Sequence, residues 1–341
     1  MISLPQFKFA EKPMKNSRKH SLSRGFTLIE LMVAMAVTTM IVTVLVSITA
    51  ISLDTWTRSR SEVRAARQAK SMADTMARDL EALVVRRGNN IEWLTASAEP
   101  VKSAGGQVPA IRDSNSAQLI FYTAPTDRYD GKLVVDNDPK KPRDGAVGDI
   151  SCVGYSLQYR DPMGEATSGT EIPTFVLYRN LVNPDKTYSE LLSKAKDSAG
   201  GLEAAFESAF GSDTENTDNF VCENVFQYTI TFNVMVSRSS GGSGVSAPIM
   251  VPVTLSSQSG GSTEFKLTGS AITTNSSGIA GVTAEELRTG SLTSVEVSLT
   301  VLTDFGMEQM RSRKFNSPTA QADFLAKNSY QYSKSVQVPS P

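Results

Sequence analysis

Histidine is almost missing from this 341-residue chain: the single one, His20, sits in a basic N-terminal segment. Cysteine is nearly as scarce. Cys152 and Cys222 stand 70 residues apart, a spacing that no zinc motif uses. There is no G-x-S-x-G elbow, no G-x-x-x-x-G-K-[ST] loop and no G-x-G-x-x-G turn, which removes the sequence signatures of hydrolases, P-loop NTPases and dinucleotide binders. Glycine and proline are absent from residues 26–87, so nothing in that stretch breaks a helix. Charged residues are absent from 31–53.

What is present is unevenly distributed. Residues 1–25 hold six of the 34 basic residues (Lys8, Lys12, Lys15, Arg18, Lys19, Arg24) and one of the 35 acidic ones, Glu11, leaving the rest of the chain at a net charge of −6. An acidic body gives no overall field for nucleic acid, and no nucleic-acid partner is expected.

The uncharged run of 31–53 is long enough, as a helix of about 35 Å, to cross a bilayer core of about 30 Å. Six of its residues are Ser or Thr, whose hydroxyls bond back to helix carbonyls. One acid, Glu30, stands at its start, where a charge is costly in lipid. From 54 onward the pattern turns amphipathic. Trp56, Val63, Ala66, Ala69, Ala73, Met76, Leu80 and Val84 recur every three or four residues, while Arg58, Arg60, Arg64, Arg67 and Lys70 occupy other faces. The spacing predicts one helix over 26–87, apolar in its first half and docked on a globular domain by its second. A secretory signal peptide would need a shorter apolar run followed by a small-residue cleavage site. Here the best small-residue junction, Arg24-Gly25, precedes the run.

The stretch "RGFTLIELMVAMAV" resembles the N-terminus of type IV prepilins and type II secretion pseudopilins. The resemblance implies that a prepilin peptidase cuts between Gly25 and Phe26 and that Phe26 becomes the methylated first residue. Glu30 takes the place of the family's acid, which pairs with the N-terminal amine of a neighbouring subunit and sets the register of assembly. Pairing in low dielectric reduces the cost of burying both charges. The implied partners are the prepilin peptidase, other pilin or pseudopilin subunits and the inner membrane. The implied location is single-pass in the inner membrane with the large domain periplasmic or extracellular. The chain departs from the pattern in a long leader, which a start at Met14 would shorten to 12 residues, and in lacking a mid-anchor proline, with Ser47 nearby instead. Six basic residues before the anchor and five after it barely set orientation. Once the leader is removed the mature chain has no histidine, which excludes Ser-His-Asp and Cys-His sites, and no enzyme is expected.

Beyond Gly88 short apolar runs alternate with turn-rich loops. Strands are expected at 118–123, 152–160, 174–181, 224–236, 249–255, 263–267 and 294–302, and short helices at 188–196, 202–210 and 307–315. Segments 237–246 and 256–262 are Gly/Ser-rich loops. The expected fold is α+β, a long N-terminal helix packed on an antiparallel β-sheet head, as in pilins. The expected divisions are a leader at 1–25, an assembly helix at 26–53, its amphipathic continuation at 54–87, a head at 88–329 and a polar tail at 330–341. "MADTMARDLEALV", "CVGYSLQYR", "TFVLYRNLV" and "SVEVSLTVLTD" are similar to a J-type minor pseudopilin.

Cys152 and Cys222 open apolar runs; they pair as a disulfide in an oxidising compartment or stay as buried thiols, and the sequence leaves both open. No cofactor is expected beyond Ca²⁺, for which Asp127, Asp130, Asp136 and Asp138 offer oxygen ligands in a spacing unlike an EF-hand. The competing class for the whole chain is an anchored binding domain that never polymerises.

Overall fold

A computed structural model of the chain describes residues 25–103, 115–124, 149–162, 172–193, 200–214, 216–237, 248–257, 261–275, 282–313, 315 and 317–339. The chain divides into two compact units, Met1–Trp56 and Thr57–Pro341, and helix α1 (Leu28–Glu81) contributes to both.

In the first unit every residue from Leu28 to Trp56 is exposed. The helix disposes of its hydroxyls internally: Thr38, Thr43, Ser47, Thr49 and Ser52 each donate to the carbonyl four residues back, at 2.7–2.9 Å. A hydroxyl bonded this way presents little more polarity to its surroundings than a methyl group.

In the second unit α1 buries Ala65, Ala69, Met72, Ala73, Met76, Ala77 and Leu80. The face expected from sequence is corrected at its start. Ala69, Ala73, Met76 and Leu80 of that face are buried, but Trp56 and Val63 are 68% and 46% exposed and Ala66 is exposed where Ala65 is buried, because the buried stripe begins only at Ala65. The helix also ends at Glu81 rather than near Arg87. Leu83 bridges Thr123, and the Val84 amide donates to the Tyr122 carbonyl at 2.9 Å, so tertiary strand pairing captures the β-branched Val84-Val85 segment. Gly88, with φ of +80°, then turns the chain.

The head continues through β1 (Glu92–Glu99), β2 (Lys102–Ser103), β3 (Ser116–Thr123), β4 (Ser151–Arg160) and β5 (Thr174–Val182). Next come α2 (Pro184–Lys186), a π-helical turn (Thr187–Leu192), α3 (Gly201–Thr214), β6 (Phe220–Glu223), β7 (Val225–Ser237), β8 (Pro248–Thr254), β9 (Glu264–Thr268) and β10 (Ile272–Thr274). The chain closes with α4 (Ala284–Arg288), β11 (Ser291–Leu302), α5 (Asp304–Ser312), α6 (Pro318–Asn328) and β12 (Ser329–Gln337). One sheet has the order β10-β9-β1-β3-β4-β5-β6, with β2 paired to β4, and the second has the order β12-β11-β7-β8. Every named pairing is antiparallel except β2 with β4.

The first sheet is covered on both faces, so β3 is buried throughout and β4 as far as Tyr159 instead of alternating. One face shares a core with α1 and the second sheet, where Phe232 stacks on Phe265 at 3.9 Å. The other face holds a smaller cluster of Trp93, Tyr122, Cys152, Leu202, Phe206 and Phe210 under α3. A Cβ on Gly154 would lie 2.6 Å from the Phe206 ring, so α3 packs that closely only over glycine. The second sheet does alternate, as β7 shows. The stretch read as a polar tail is corrected: residues 329–337 form β12, paired in unbroken register from Ser294↔Gln337 to Leu302↔Ser329. Its polarity is that of an edge strand, of which only Val336 is buried.

Candidate functional site

The helix start is built by four residues. Thr27 precedes the first helical residue, and its hydroxyl accepts from the Glu30 amide at 3.3 Å. In return Glu30 Oε2 accepts from the Thr27 amide and hydroxyl, each at 3.0 Å. This reciprocal ring is a capping box, and it satisfies two of the amides that a helix N-terminus leaves without partners. Thr-x-x-Glu before an apolar run is its sequence signal, and it identifies Thr27 as the functional residue that spacing arguments about Glu30 alone pass over.

Two consequences follow for chemistry. The cap fixes the helix boundary downstream of the Gly25–Phe26 bond, so that bond lies outside the helix, with Phe26 86% exposed. A protease needs an extended, reachable bond. A Cβ added at Gly25 would meet no atom within 4 Å, so the described fold places no steric demand for glycine there. Second, the Glu30 carboxylate is hydrogen-bonded within its own chain, which lowers the cost of a charge at the edge of an apolar run.

A second constellation holds the other end of α1 and escaped the sequence reading. Arg179 grips Asp79 with two nitrogens, Nε to Oδ2 at 2.7 Å and Nη2 to Oδ1 at 2.8 Å, and the Tyr155 hydroxyl donates to Oδ2. The Asp79 side chain is 4% exposed and that of Arg179 12%. Burial, then the neighbouring Asp79 charge, pushes the Tyr155 phenol well above its usual range. An acid inside the apolar stripe Met76, Ala77, Leu80 is the signal that marks this site. The arrangement pins α1 to β4 and β5 and presents no free group for catalysis.

The cysteines are free and buried. A disulfide between them is corrected on geometry. Cys152 is opposite Val182 and Cys222 opposite Leu177 on β5. Five residues along a strand separate those positions by about 17 Å, against an upper Cα distance of about 7 Å for a bridge. They also belong to different core clusters. Burial pushes the Cys222 thiol up to about 12 and the Cys152 thiol well above its usual range, so both are inert.

In the basic stripe, Arg58 pairs with Glu62 at 3.1 Å, and Arg64 pairs with Glu223 and with Asp304. Arg64 lines a 630 Å³ cleft with Asp161, Glu223, Asp304, Glu308 and Arg311, but its charge is spent on joining α1 to β6 and α5. Asp127, Asp130, Asp136 and Asp138 lie outside the described residues, as does His20. Among the described residues no group of three or more His, Cys, Asp or Glu side chains is placed to hold a metal.

A family model described as the prokaryotic N-terminal methylation motif matches residues 20–49. Neither the comparison with curated proteins nor that with solved structures gives a match. Among the described residues one helix, α1, is long and apolar enough to cross a membrane. The motif points to a structural subunit rather than an enzyme, to membrane anchoring, and to processing and assembly of the pilin kind. Across its first helix, and ahead of an α+β head, the chain carries the signature of type IV prepilins and pseudopilins.

Proposed function

We propose that this chain is a minor subunit of a type II secretion pseudopilus or a type IV pilus. The peptidase cuts between Gly25 and Phe26, Phe26 is methylated, and Glu30 pairs with the Phe26 amine of a neighbour. The head stands on the periplasmic or extracellular side of the inner membrane. The observation that carries this reading is the methylation motif at 20–49, lying on a helix whose only charge between 26 and 53 is Glu30. A mature chain of 316 residues is large for a densely repeated filament, which favours a minor position. The similarity of residues 72–84, 152–160 and 174–182 to a J-type pseudopilin supports the finer assignment.

The test is the mass of the N-terminal peptide from cells with and without the prepilin peptidase. A peptide starting at N-methylated Phe26 only when the peptidase is present is the expected result. An uncut N-terminus in both leaves an anchored domain that does not enter the pathway. That second reading has one observation in its favour: the Thr27–Glu30 capping box gives Glu30 a partner without any neighbouring subunit.

A further inference from the structure

Three of the four sheet edges are short or guarded. β10 has three residues and lies against α4, and β6 has four. β8 is longer, but the Leu255 amide donates to the Ile230 carbonyl at 3.0 Å, which fixes the phase of its ladder. Residues 249, 251 and 253 therefore bond to β7, and 248, 250, 252 and 254 face outward. Two of those four are Pro248 and Pro252, which have no amide to offer.

β12 is nine residues long and carries none of these guards. Thr303 N donates to Asn328 O at 2.8 Å and Val338 N to Thr293 O at 3.1 Å, one at each end of an uninterrupted register. Both place the even-numbered residues of β12 toward β11. The amides and carbonyls of Ser329, Gln331, Ser333, Ser335 and Gln337 therefore point away from the sheet, and no described residue bonds them. None of the five is proline, none is charged, and the strand has no bulge. The strand's one cation, Lys334, turns to Asp74 on α1 at 2.5 Å and does not block the edge. Soluble folds suppress such an edge unless something covers it.

We propose that the outer edge of β12 receives an extended strand from a different subunit of the assembly, continuing the second sheet by backbone hydrogen bonds. This rests on the subunit reading above. The chemistry of the row sets the occupant: a segment of about five residues in β conformation, without proline at the positions that face β12. The β8 edge of a second copy does not qualify, because its two outward prolines remove half the donors, and the minor position proposed above leaves a second copy's β12 few chances to be the neighbour.

The test compares backbone amide exchange, read residue by residue, in the full-length chain purified in detergent and in membranes holding the whole assembly. In the purified chain Gln331, Ser333, Ser335 and Gln337 should exchange fast, and Tyr332, Lys334 and Val336 slowly. In the assembly the first set should slow by about tenfold or more. If those amides stay fast in assemblies that contain the processed chain, the proposal is overturned and the subunit reading stands. If the chain is cut but never enters an assembly, both fall. A purified dimer with the same amides already protected assigns the edge to a second copy and overturns the proposal. Ser333→Pro removes one outward amide without touching the β11 ladder. It should cut recovery of the chain with the assembly about tenfold, with the melting temperature of the purified chain unchanged, while Ser333→Ala recovers normally.

Discussion

At Glu30 a single substitution separates the capping bonds to Thr27 from the pairing proposed with a neighbour's amine. Glutamine at the same position keeps the ring with Thr27, since an amide oxygen accepts the same two hydrogen bonds, but carries no charge for a neighbour's amine. Glu30→Gln should therefore insert and be cut normally yet fail to assemble, as read by the N-terminal mass and the fraction sedimenting with filaments. Normal assembly of that variant would leave the cap as the residue's whole role. Thr27→Ala should weaken the helix start by about 1 kcal/mol, seen as faster amide exchange at residues 28–30. At the other end of the helix, Arg179→Met leaves Asp79 buried without a counter-charge and should cost about 3–5 kcal/mol in urea unfolding of the purified chain. Adding Asp79→Leu should recover most of that loss, because an apolar pair of similar volume needs no partner. The sequence exposed Glu30 because it interrupts an apolar run. Asp79 was less legible: it looks like an ordinary surface acid until its helix phase places it on the buried stripe, and its partner is 100 residues away.

Among the elements, α3 is held by polar as well as apolar contacts. Glu92 Oε2 accepts from the Leu202 amide at 2.8 Å, Glu203 accepts from Ser97 at 3.0 Å, and Glu207 accepts from Gln118 at 2.7 Å and pairs with Lys102 at 3.2 Å. Burial, reinforced by Glu99 and Glu264, pushes the Glu203 carboxyl above its usual range. A carboxyl raised in the folded state binds protons more tightly there than when unfolded, so its contribution is favourable at low pH and is lost as pH rises through the folded value. Glu203→Gln should raise the melting temperature at pH 7 and differ less from the parent chain near pH 4. The long apolar strands were legible because β-branched and aromatic residues dominate β3, β4, β5, β7 and β11. β1, EWLTASAE, was not. Its Ala, Ser and Glu have poor strand propensity, and its central place between β3 and β9 imposes the conformation. The starts of α5 and α6 were readable in hindsight from Thr303 and from Ser317-Pro318, whose hydroxyls accept from Gly306 and Ala320.

At the scale of the whole chain, the two units answer to different solvents. Residues 28–56 contribute nothing to either core cluster, and every one of them is exposed. The clusters begin at Ala65 and draw on both sheets, α3 and the closing helices. Charge divides in the same way: the six basic residues of 1–25 precede an uncharged run, and the acidic excess lies beyond it. An acidic surface keeps a head soluble, and an uncharged helix with internally bonded hydroxyls suits lipid. The part of the chain from Thr57 to Pro341 therefore holds its own complete core and should fold without the rest. It should be soluble and melt in one cooperative step, with a near-ultraviolet circular dichroism spectrum from Trp93 and the buried tyrosines matching that of the full chain in detergent. Beginning the fragment at Gly88 instead should abolish that step. It deletes Met72, Met76 and Leu80, each at most 1% exposed, and losing even one such side chain costs about 2–5 kcal/mol, against a total stability of about 5–15 kcal/mol. A cooperative melt of the shorter fragment would show that the sheets close over their own core and that α1 is an accessory to the head. Its loss would make the second half of the helix part of the head's fold, so that the element bearing the processing signature also completes the domain it carries.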